Sequence, residues 1–322
     1  MDSSLNDRKG AVSEPPVVVG VDGSGHSLRA LDWALGAAER MGAPLVVAHV
    51  RSDALQLGEA RISSLGEERS LPDTVLEAVR TVVEERGHRI PVRYESLDGS
   101  VTDALPAAAR GGRLLVTGSR GHGGFMTLLL GSTSRTLAMT APCPLVVVPH
   151  EARAPEASLG PGAGRVLLGL QPEETPDEAV AFAFEAAGLA GVPLEAVTAF
   201  RLPPEPAALL AVPSPALQVP PPLPDVEDTA ELVGGAEREQ LARLRPFAER
   251  RPEVEVRASV VPGDAAGLLE EGSRDAGLLV VGRHHRHRIG TLLIGSVAHA
   301  VLHEAHCPVA VVPPSAGVVS GD

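Results

Sequence analysis

The sequence predicts an α/β protein made of two tandem doubly wound domains, each a five-stranded, mostly parallel sheet with helices on both faces. Three observations predict this fold. The chain has 322 residues, a length typical of about two domains. Hydrophobic residues make up 44% of it but aromatic residues only 2%, so aliphatic side chains must fill the core, as they do around buried parallel strands. Short sequence blocks also recur in the same order in both halves.

The repeated blocks define the domain organisation. CPLVVVP at 143–149 returns as CPVAVVP at 307–313, an offset of 164 residues, whereas VVVGVD at 17–22 returns as VLLGLQ at 166–171, an offset of 149. The 15-residue difference predicts an insertion in the second copy, in the exposed proline-rich run near 202–225. The predicted organisation is a disordered lead at 1–14, a first domain at 15–150, a linker at 151–164, a second domain at 165–314 and a tail at 315–322.

The first copy can be assigned element by element. The apolar run that ends at Asp22 predicts a buried strand, and Ser27 is the predicted N-cap of a helix that Gly42 ends. The segments that follow alternate between strand and helix: APLVVAHV, DTVLEAVRTVVEERG, PVRYESL, VTDALPAAARGG, RLLVTG, STSRTLAMTA and PLVVVP. Right-handed crossovers then give the strand order 3-2-1-4-5. Strands 1 and 4 are neighbours with helices on opposite faces, which is the switch point where such sheets bind ligands.

Charge and composition exclude several classes of function. A net charge of −13 disfavours binding to nucleic acid. The sequence has neither an apolar run approaching the ~18 residues of a membrane span nor a signal peptide, so we expect a cytoplasmic protein without membrane contact. Cys143 and Cys307 occupy the same repeat position and are expected to be buried, reduced thiols. Lys9, the only lysine, lies in the lead, so no folded segment offers a catalytic lysine.

The stretch GSRGHGGFMTLLLGSTS at 118–134 follows predicted strand 4 and has the features of a phosphate-binding loop. Its early glycines, Gly118, Gly121, Gly123 and Gly124, expose backbone N–H groups in conformations that suit anions. Gly131 and Ser132 then open a helix whose N-terminus favours phosphate. Hydroxyl donors follow at Ser132, Thr133 and Ser134, and Arg120 or a divalent cation adds positive charge. A Walker loop is excluded because no GK[ST] is present, and G-x-G-x-x-G fails because position 126 is methionine.

The spacing that fits is G-x-x-G, nine residues, then G-S, formed by Gly118, Gly121, Gly131 and Ser132. With VVVGVDGS upstream and CPLVVVP downstream, it resembles the universal stress protein family over nearly the whole chain. The resemblance to the ATP-binding branch of that family implies a site for ATP, with Mg²⁺. The implied roles are adenine contact for Asp22 and Val50 beside Gly20 and Val21, ribose and phosphate approach for Gly118 and Gly121, and phosphate contact for Gly131, Ser132, Thr133 and Ser134. Taken alone, Asp22 is also explained as a turn or N-cap residue.

The second copy departs from this pattern at several of the positions that the resemblance implies contact ATP. Gly295 and Ser296 are kept, but the other equivalents change: Asp22 to Gln171, Val50 to Ala199, Gly121 to His285, Thr133 to Val297 and Ser134 to Ala298. A side chain in place of Gly121 narrows the space through which a phosphate reaches the backbone, and the hydroxyls of Thr133 and Ser134 have no equivalents in the second copy. We therefore expect the second domain to keep the fold without binding ATP in the same way.

Three functions remain open. The first is an ATP-binding regulatory protein of the stress response, which is not a dedicated enzyme and which acts through an unknown protein partner. The second is a weak ATPase or nucleotide-transferring enzyme, for which His122 is the one candidate general base. The third is a scaffold without nucleotide. The family resemblance also implies pairing through the last strands, either within the chain as a pseudo-dimer or between chains as a homodimer.

Histidines in the second copy invite two further hypotheses. His299 and His303 share a helix face, but Glu304 is the only nearby acid, so no metal site is predicted there. The run RHHRHR, with His284, His285 and His287, is a basic patch that suits an anion or an acidic partner.

Overall fold

The structure, a computed structural model, describes residues 14–51, 72–120, 131–150, 164–200, 226–283 and 294–315. The proline-rich run at 202–225, most of the predicted linker, the early glycines from Gly121 onward and the RHHRHR run after its first arginine, Arg283, therefore lie outside the described residues. Within the described ranges, no helix combines the length and the apolar character needed to cross a bilayer.

Strands and helices alternate through both copies. The first copy contains β1 (Val17–Gly20), α1 (Gly25–Met41), β2 (Leu45–Val50), α2 (Thr74–Arg86), β3 (Val92–Leu97), α3 (Val101–Ala108), β4 (Leu114–Gly118), α4 (Ser132–Thr140) and β5 (Leu145–Val148). The second contains β6 (Arg165–Gly169), α5 (Asp177–Ala190), β7 (Leu194–Phe200), α6 (Val226–Arg250), β8 (Val256–Pro262), α7 (Ala265–Gly272), a short 3-10 helix (Ser273–Asp275), β9 (Ala276–Gly282), α8 (Ser296–Glu304) and β10 (Val309–Val312).

All ten of these strands form one sheet, in the order β3-β2-β1-β4-β5-β10-β9-β6-β7-β8. The predicted order 3-2-1-4-5 is therefore confirmed in each half. Pairs within a half are parallel, whereas β5 and β10 pair antiparallel, with Ala310 opposite Val146. This β5–β10 pair, which we call the seam, is the pairing of last strands that the family resemblance implied, made here within one chain.

The sheet separates two helical layers. One apolar cluster packs α1, α2, α5 and α6 on one face, and another packs α3, α4, α7 and α8 on the other. The strands read as continuous aliphatic runs because both faces are covered: Leu114 and Leu115 point to opposite faces and are both fully buried. Burial of each such leucine contributes about 2 kcal/mol to stability.

Two polar contacts join the halves beside the seam. The Arg113 guanidinium forms an ion pair with Glu185 of α5. Arg283, directly after β9, donates from Nη1 to the carbonyl oxygens of Met139 and Ala141, at 3.0 and 2.9 Å. Those carbonyls end α4, so a cation from the second half lies at the C-terminus of a first-half helix, where the helix dipole favours it.

Both cysteines are buried free thiols, as predicted. Burial raises the pKa of Cys143 to about 11 and that of Cys307 to about 12, so both are protonated at neutral pH. They act as small apolar side chains in the core, each directly ahead of a seam strand.

Candidate functional site

The candidate site lies at the carboxyl ends of β1 and β4, and the turn after β1 forms one wall of it. Asp22 Oδ1 accepts hydrogen bonds from the backbone N–H of Ser24 at 3.0 Å and from its hydroxyl at 2.6 Å. Gly23 has φ +79°, a conformation that side chains rarely adopt. Asp22 therefore has the turn role that its residue type allows, and this turn fixes where its carboxylate lies.

The N-cap of α1 differs from the prediction. Ser24, not Ser27, is the cap, and its hydroxyl accepts from the Ser27 N–H at 3.3 Å. Ser27 lies buried in the first turn, where its hydroxyl donates to the Ser24 carbonyl oxygen at 2.9 Å. The prediction was wrong because both serines fit the local pattern, and the hydrogen bonds of Asp22 select the earlier one.

Gly118, at the end of β4, is explained by packing. A Cβ at this position would lie 2.8 Å from the His26 carbonyl oxygen and 3.0 Å from its carbonyl carbon. Those atoms are backbone and cannot rotate away, so any other residue forces α1 away from β4. The glycine thus brings the start of α1 and the end of β4 together at the crevice.

The N-terminus of α4 forms the far end of the crevice. Gly131 is its N-cap, and its N–H donates to the Ser119 carbonyl oxygen at 2.9 Å. Among the described residues, no side chain caps this helix end. Ser132 is exposed and Thr133 is half-buried, so both present hydroxyls near the uncapped amides. Such an end attracts anions through its N–H groups and its dipole.

Ser134 differs from its predicted role. It is 3% exposed, and its hydroxyl donates to the Gly118 carbonyl oxygen at 2.9 Å. A hydroxyl has a single proton, so this one is not offered to a phosphate in the observed arrangement. Ser134 instead ties α4 to the end of β4.

Polar groups in this region include several with no protein partner in the described ranges. The hydroxyls of Thr117 and Ser119 and Nε of Arg120 are buried and make no hydrogen bond to any described residue. Arg120 lies within electrostatic range of His26, whose pKa is lowered by burial first and by Arg120 second. Arg120 therefore brings positive charge to a crevice that also holds the Asp22 carboxylate, in a chain that is acidic as a whole.

The residues expected around the adenine divide between the two faces of the sheet. The Val21 side chain belongs to the α1 layer, whereas Val50 packs with the α3 and α4 layer. A Cβ at Gly20 would lie 2.7 Å from Leu105 Cδ1, so this glycine admits a leucine of α3. Gly20 and Val50 thus lie on the sheet face that packs against α3 and α4. The Val21 side chain lies on the other face, so only its backbone is available on the α3 and α4 side.

A polar cluster beside the crevice was not predicted. His49 Nδ1 lies 2.7 Å from Asp73 Oδ2, and the Ser96 hydroxyl donates to the same oxygen at 2.7 Å. Asp73 also caps α2 by accepting from Leu76 N–H. Burial opposes ionisation of Asp73, but these hydrogen bonds outweigh it and lower its pKa. The sequence has Asp73 directly before a helical segment, which is a typical position for an N-cap. It gives no signal that Asp73 contacts His49 near the end of β2 and Ser96 near the end of β3.

In the second half, the loop after β6 is held by close packing and by contacts from α6. A Cβ at Gly282, the equivalent of Gly118, would lie 2.4 Å from Pro176 Cδ. Arg243 of α6 donates to the carbonyl oxygens of Pro172 and Thr175, at 3.2 and 2.9 Å, and to Asp177 at 2.5 Å. These bonds fix the loop after β6 to α6.

A second buried polar group joins α6 to the sheet. Gln240 of α6 is 1% exposed, and its Nε2 lies 3.0 Å from each of the carbonyl oxygens of Ala196 and Ser259 and from the Thr198 hydroxyl. Thr198 in turn donates to the Leu170 carbonyl oxygen at 2.9 Å. These contacts join α6 to β7 and β8, and the expected difference in ATP binding between the halves stays a prediction.

The remaining histidines form no metal cluster in the described part of the chain. The rings of His299 and His303 have centroids 4.7 Å apart, and His306 Nε2 lies 3.4 Å from Glu270. No group of three or more His, Cys, Asp or Glu side chains suited to a metal occurs among the described residues. His122, the candidate base, and the histidines of the RHHRHR run lie outside them.

Comparisons with known proteins agree with the fold and the repeat. The model of the family described as "Universal stress protein family" matches residues 15–149 and 163–313. A universal stress protein of Mycolicibacterium smegmatis is 32% identical over 311 residues, covering 94% of this chain and 99% of that protein. One from Mycobacterium tuberculosis is 32% identical over 302 residues, covering 92% and 96%. The crystal structure of a universal stress protein from Archaeoglobus fulgidus has a TM-score of 0.61 at 18% identity, covering 93% and 98%.

Proposed function

The chain belongs to the universal stress protein family, and from that premise we propose that it is a nucleotide-dependent regulatory protein of the stress response. It holds one ATP, together with Mg²⁺, in the crevice of the first domain. The second domain is a partner of the same fold that does not bind ATP in this way. The two free thiols fit a reducing compartment, and within this proposal the protein acts in the cytoplasm.

The observation that carries the proposal is the N-terminus of α4, which no side chain among the described residues caps and which lies beside Arg120. The N-terminus of α8 in the second half likewise has no side-chain cap there, but Val297 stands in place of Thr133. Gly131, Ser132 and Thr133 offer amides and hydroxyls at one end of the crevice, and Arg120 adds a cation at its edge. Backbone donors, hydroxyls and one guanidinium are a sufficient set for a polyphosphate without a lysine. The glycine-rich segment that includes Gly121 leads into this helix.

The opposite end of the crevice suits a base. Asp22 is a carboxylate held in a fixed turn, and a carboxylate accepts a hydrogen bond from an exocyclic amino group. Val50 is a half-buried apolar side chain on the neighbouring strand, a suitable surface for an aromatic ring. We assign adenine to this end and the phosphates to α4.

Binding rather than turnover is proposed as the main activity. The alternative of slow hydrolysis keeps His122 as its candidate general base, and that residue lies outside the described residues. A scaffold without nucleotide is the remaining alternative, and the N-terminus of α4, which no described side chain caps and which has Arg120 beside it, argues against it.

Calorimetric titration of the full-length chain with ATP and magnesium tests the proposal. We expect one ATP per chain, with loss of binding in Gly121→His, which copies the residue of the second half, and weakening in Asp22→Asn. Gln171→Ala is the matched control and leaves binding unchanged. No binding supports the scaffold, two ATP per chain overturns the single-site assignment, and steady release of ADP supports the enzyme.

A further inference from the structure

His26 is an ionisable residue that packs against both walls of the crevice. It lies in the first turn of α1, and its backbone carbonyl is the atom that a Cβ at Gly118 would strike at 2.8 Å. Its ring meets the ring of His150, which follows β5, edge to face with centroids 5.8 Å apart. His26 is thus held between the ends of β4 and β5, near the proposed phosphate end.

The charges that face His26 come from several elements. Arg120 follows β4, Arg29 belongs to α1, Asp22 follows β1, and the ring of His150 follows β5. Burial lowers the pKa of His26 first, Arg120 and then Arg29 lower it further, and Asp22 opposes them. Two guanidinium groups and one carboxylate give His26 a net positive surrounding. Protonation of its imidazole is therefore unfavourable in this surrounding.

A polyphosphate in this surrounding reverses the balance. It brings several negative charges beside Arg120 and the N-terminus of α4, which neutralise the repulsion that keeps the imidazole uncharged. A protonated imidazole then has both ring N–H groups available as donors.

We propose that His26 is a further binding residue of the crevice, whose imidazole takes up a proton when the phosphate chain of the nucleotide enters. This inference rests on the proposed function and adds to it a dependence on pH. A proton taken up on binding makes the affinity rise as pH falls. For one group, the gain is about fivefold to tenfold between about pH 8 and about pH 6.

The experiment measures the affinity of the full-length chain for ATP with magnesium across this pH range. Calorimetry at one pH, in two buffers with different ionisation enthalpies, gives the number of protons taken up. His26→Asn keeps a polar side chain that does not titrate. His88→Asn is the matched control, because His88 contacts Glu39 and lies next to the C-cap of α2. The protonation of ATP itself is common to all three proteins.

We expect wild type and His88→Asn to take up more protons than His26→Asn and to show the steeper pH dependence. Equal proton uptake and equal slopes in wild type and His26→Asn overturn the inference while leaving the proposed function intact. Absence of ATP binding to wild type at every pH overturns both. If His26→Asn does not fold, the ¹⁵N shifts of the wild-type imidazoles with and without ATP decide. A shift to the protonated form at His26 supports the inference, and no change or a shift confined to His150 overturns it.

Discussion

The two halves have the same strand order, but the loop after the first strand is held differently in each. In the first, the loop after β1 is held by its own Asx turn. In the second, Arg243 of the long helix α6 holds the loop after β6. Other features are shared: no described side chain caps α4 or α8, and Pro176 lies against Gly282 as His26 lies against Gly118. The fold survives both arrangements because its stability comes from the aliphatic layers, while the polar groups of the crevice need only some partner, either a ligand or the protein itself.

The largest effect is expected from replacing Gly118, and it is compared with the same change at the equivalent Gly282. Gly118→Ala places a Cβ against the backbone of His26, and we expect it to lower the free energy of unfolding by about 2–4 kcal/mol. Because it also moves α1 away from β4, ATP affinity should fall at least about tenfold. Chemical denaturation and calorimetric titration measure the two effects.

Gly282→Ala is the matched variant in the second half, where the new Cβ meets Pro176. A comparable loss of stability is expected, with ATP affinity unchanged. A fall in affinity as large as that of Gly118→Ala would mean that the second crevice contributes to the site.

The next effect concerns Arg283, whose position in the first half is taken by Ser119. Arg283→Met removes two charge-assisted hydrogen bonds to the C-terminus of α4, and we expect a loss of about 2–3 kcal/mol in the free energy of unfolding. Arg274→Met is the control, since Arg274 is half-exposed and its ion pairs contribute less than about 1 kcal/mol. Equal losses in the two variants would show that Arg283 does not join the halves.

A smaller effect separates two neighbouring serines of α4. Ser134→Ala removes the buried bond to the Gly118 carbonyl and should cost about 1 kcal/mol of stability. Ser132→Ala alters an exposed hydroxyl, so stability should change by less than about 0.5 kcal/mol while ATP affinity falls about threefold. The opposite pattern, with Ser132 stabilising and Ser134 binding, would contradict the placement of the site.

The smallest effect is a difference in acid response. The pKa of Asp73 is lowered in the folded state, so its contribution to stability is present above its unfolded value of about 3.9 and is lost as pH falls through the lower, folded value. The difference in melting temperature between wild type and Asp73→Asn should therefore be largest near neutral pH and shrink toward about pH 3.

The neutral network of Gln240 and Thr198 is the counterpart in the second half. Gln240→Met should lower the melting temperature by an amount that does not vary with pH, since neither side chain ionises. A loss from Asp73→Asn that is equally constant would contradict the pKa shift.

The sequence predicts the strand order well because each strand is a local aliphatic run and each crossover has a fixed hand. It also predicts where the crevice lies, since glycines follow both β1 and β4. It does not predict the hydrogen bonds that choose Ser24 over Ser27 or turn Ser134 inward, because these depend on Asp22 and Gly118 reaching particular positions. The contacts of Arg243 and Arg283 could not be predicted either, because these arginines hydrogen-bond to residues 66 to 144 positions away in the chain.

The seam between β5 and β10 also affects how the two copies can evolve. In a homodimer joined through such strands, one gene encodes both subunits, so a substitution that spoils one site spoils the other in every molecule. Two copies in one polypeptide mutate independently, and the two halves stay paired one to one at any cellular concentration. Covalent fusion thus allows an asymmetric pair to persist, with one copy conserving its motif while the other changes.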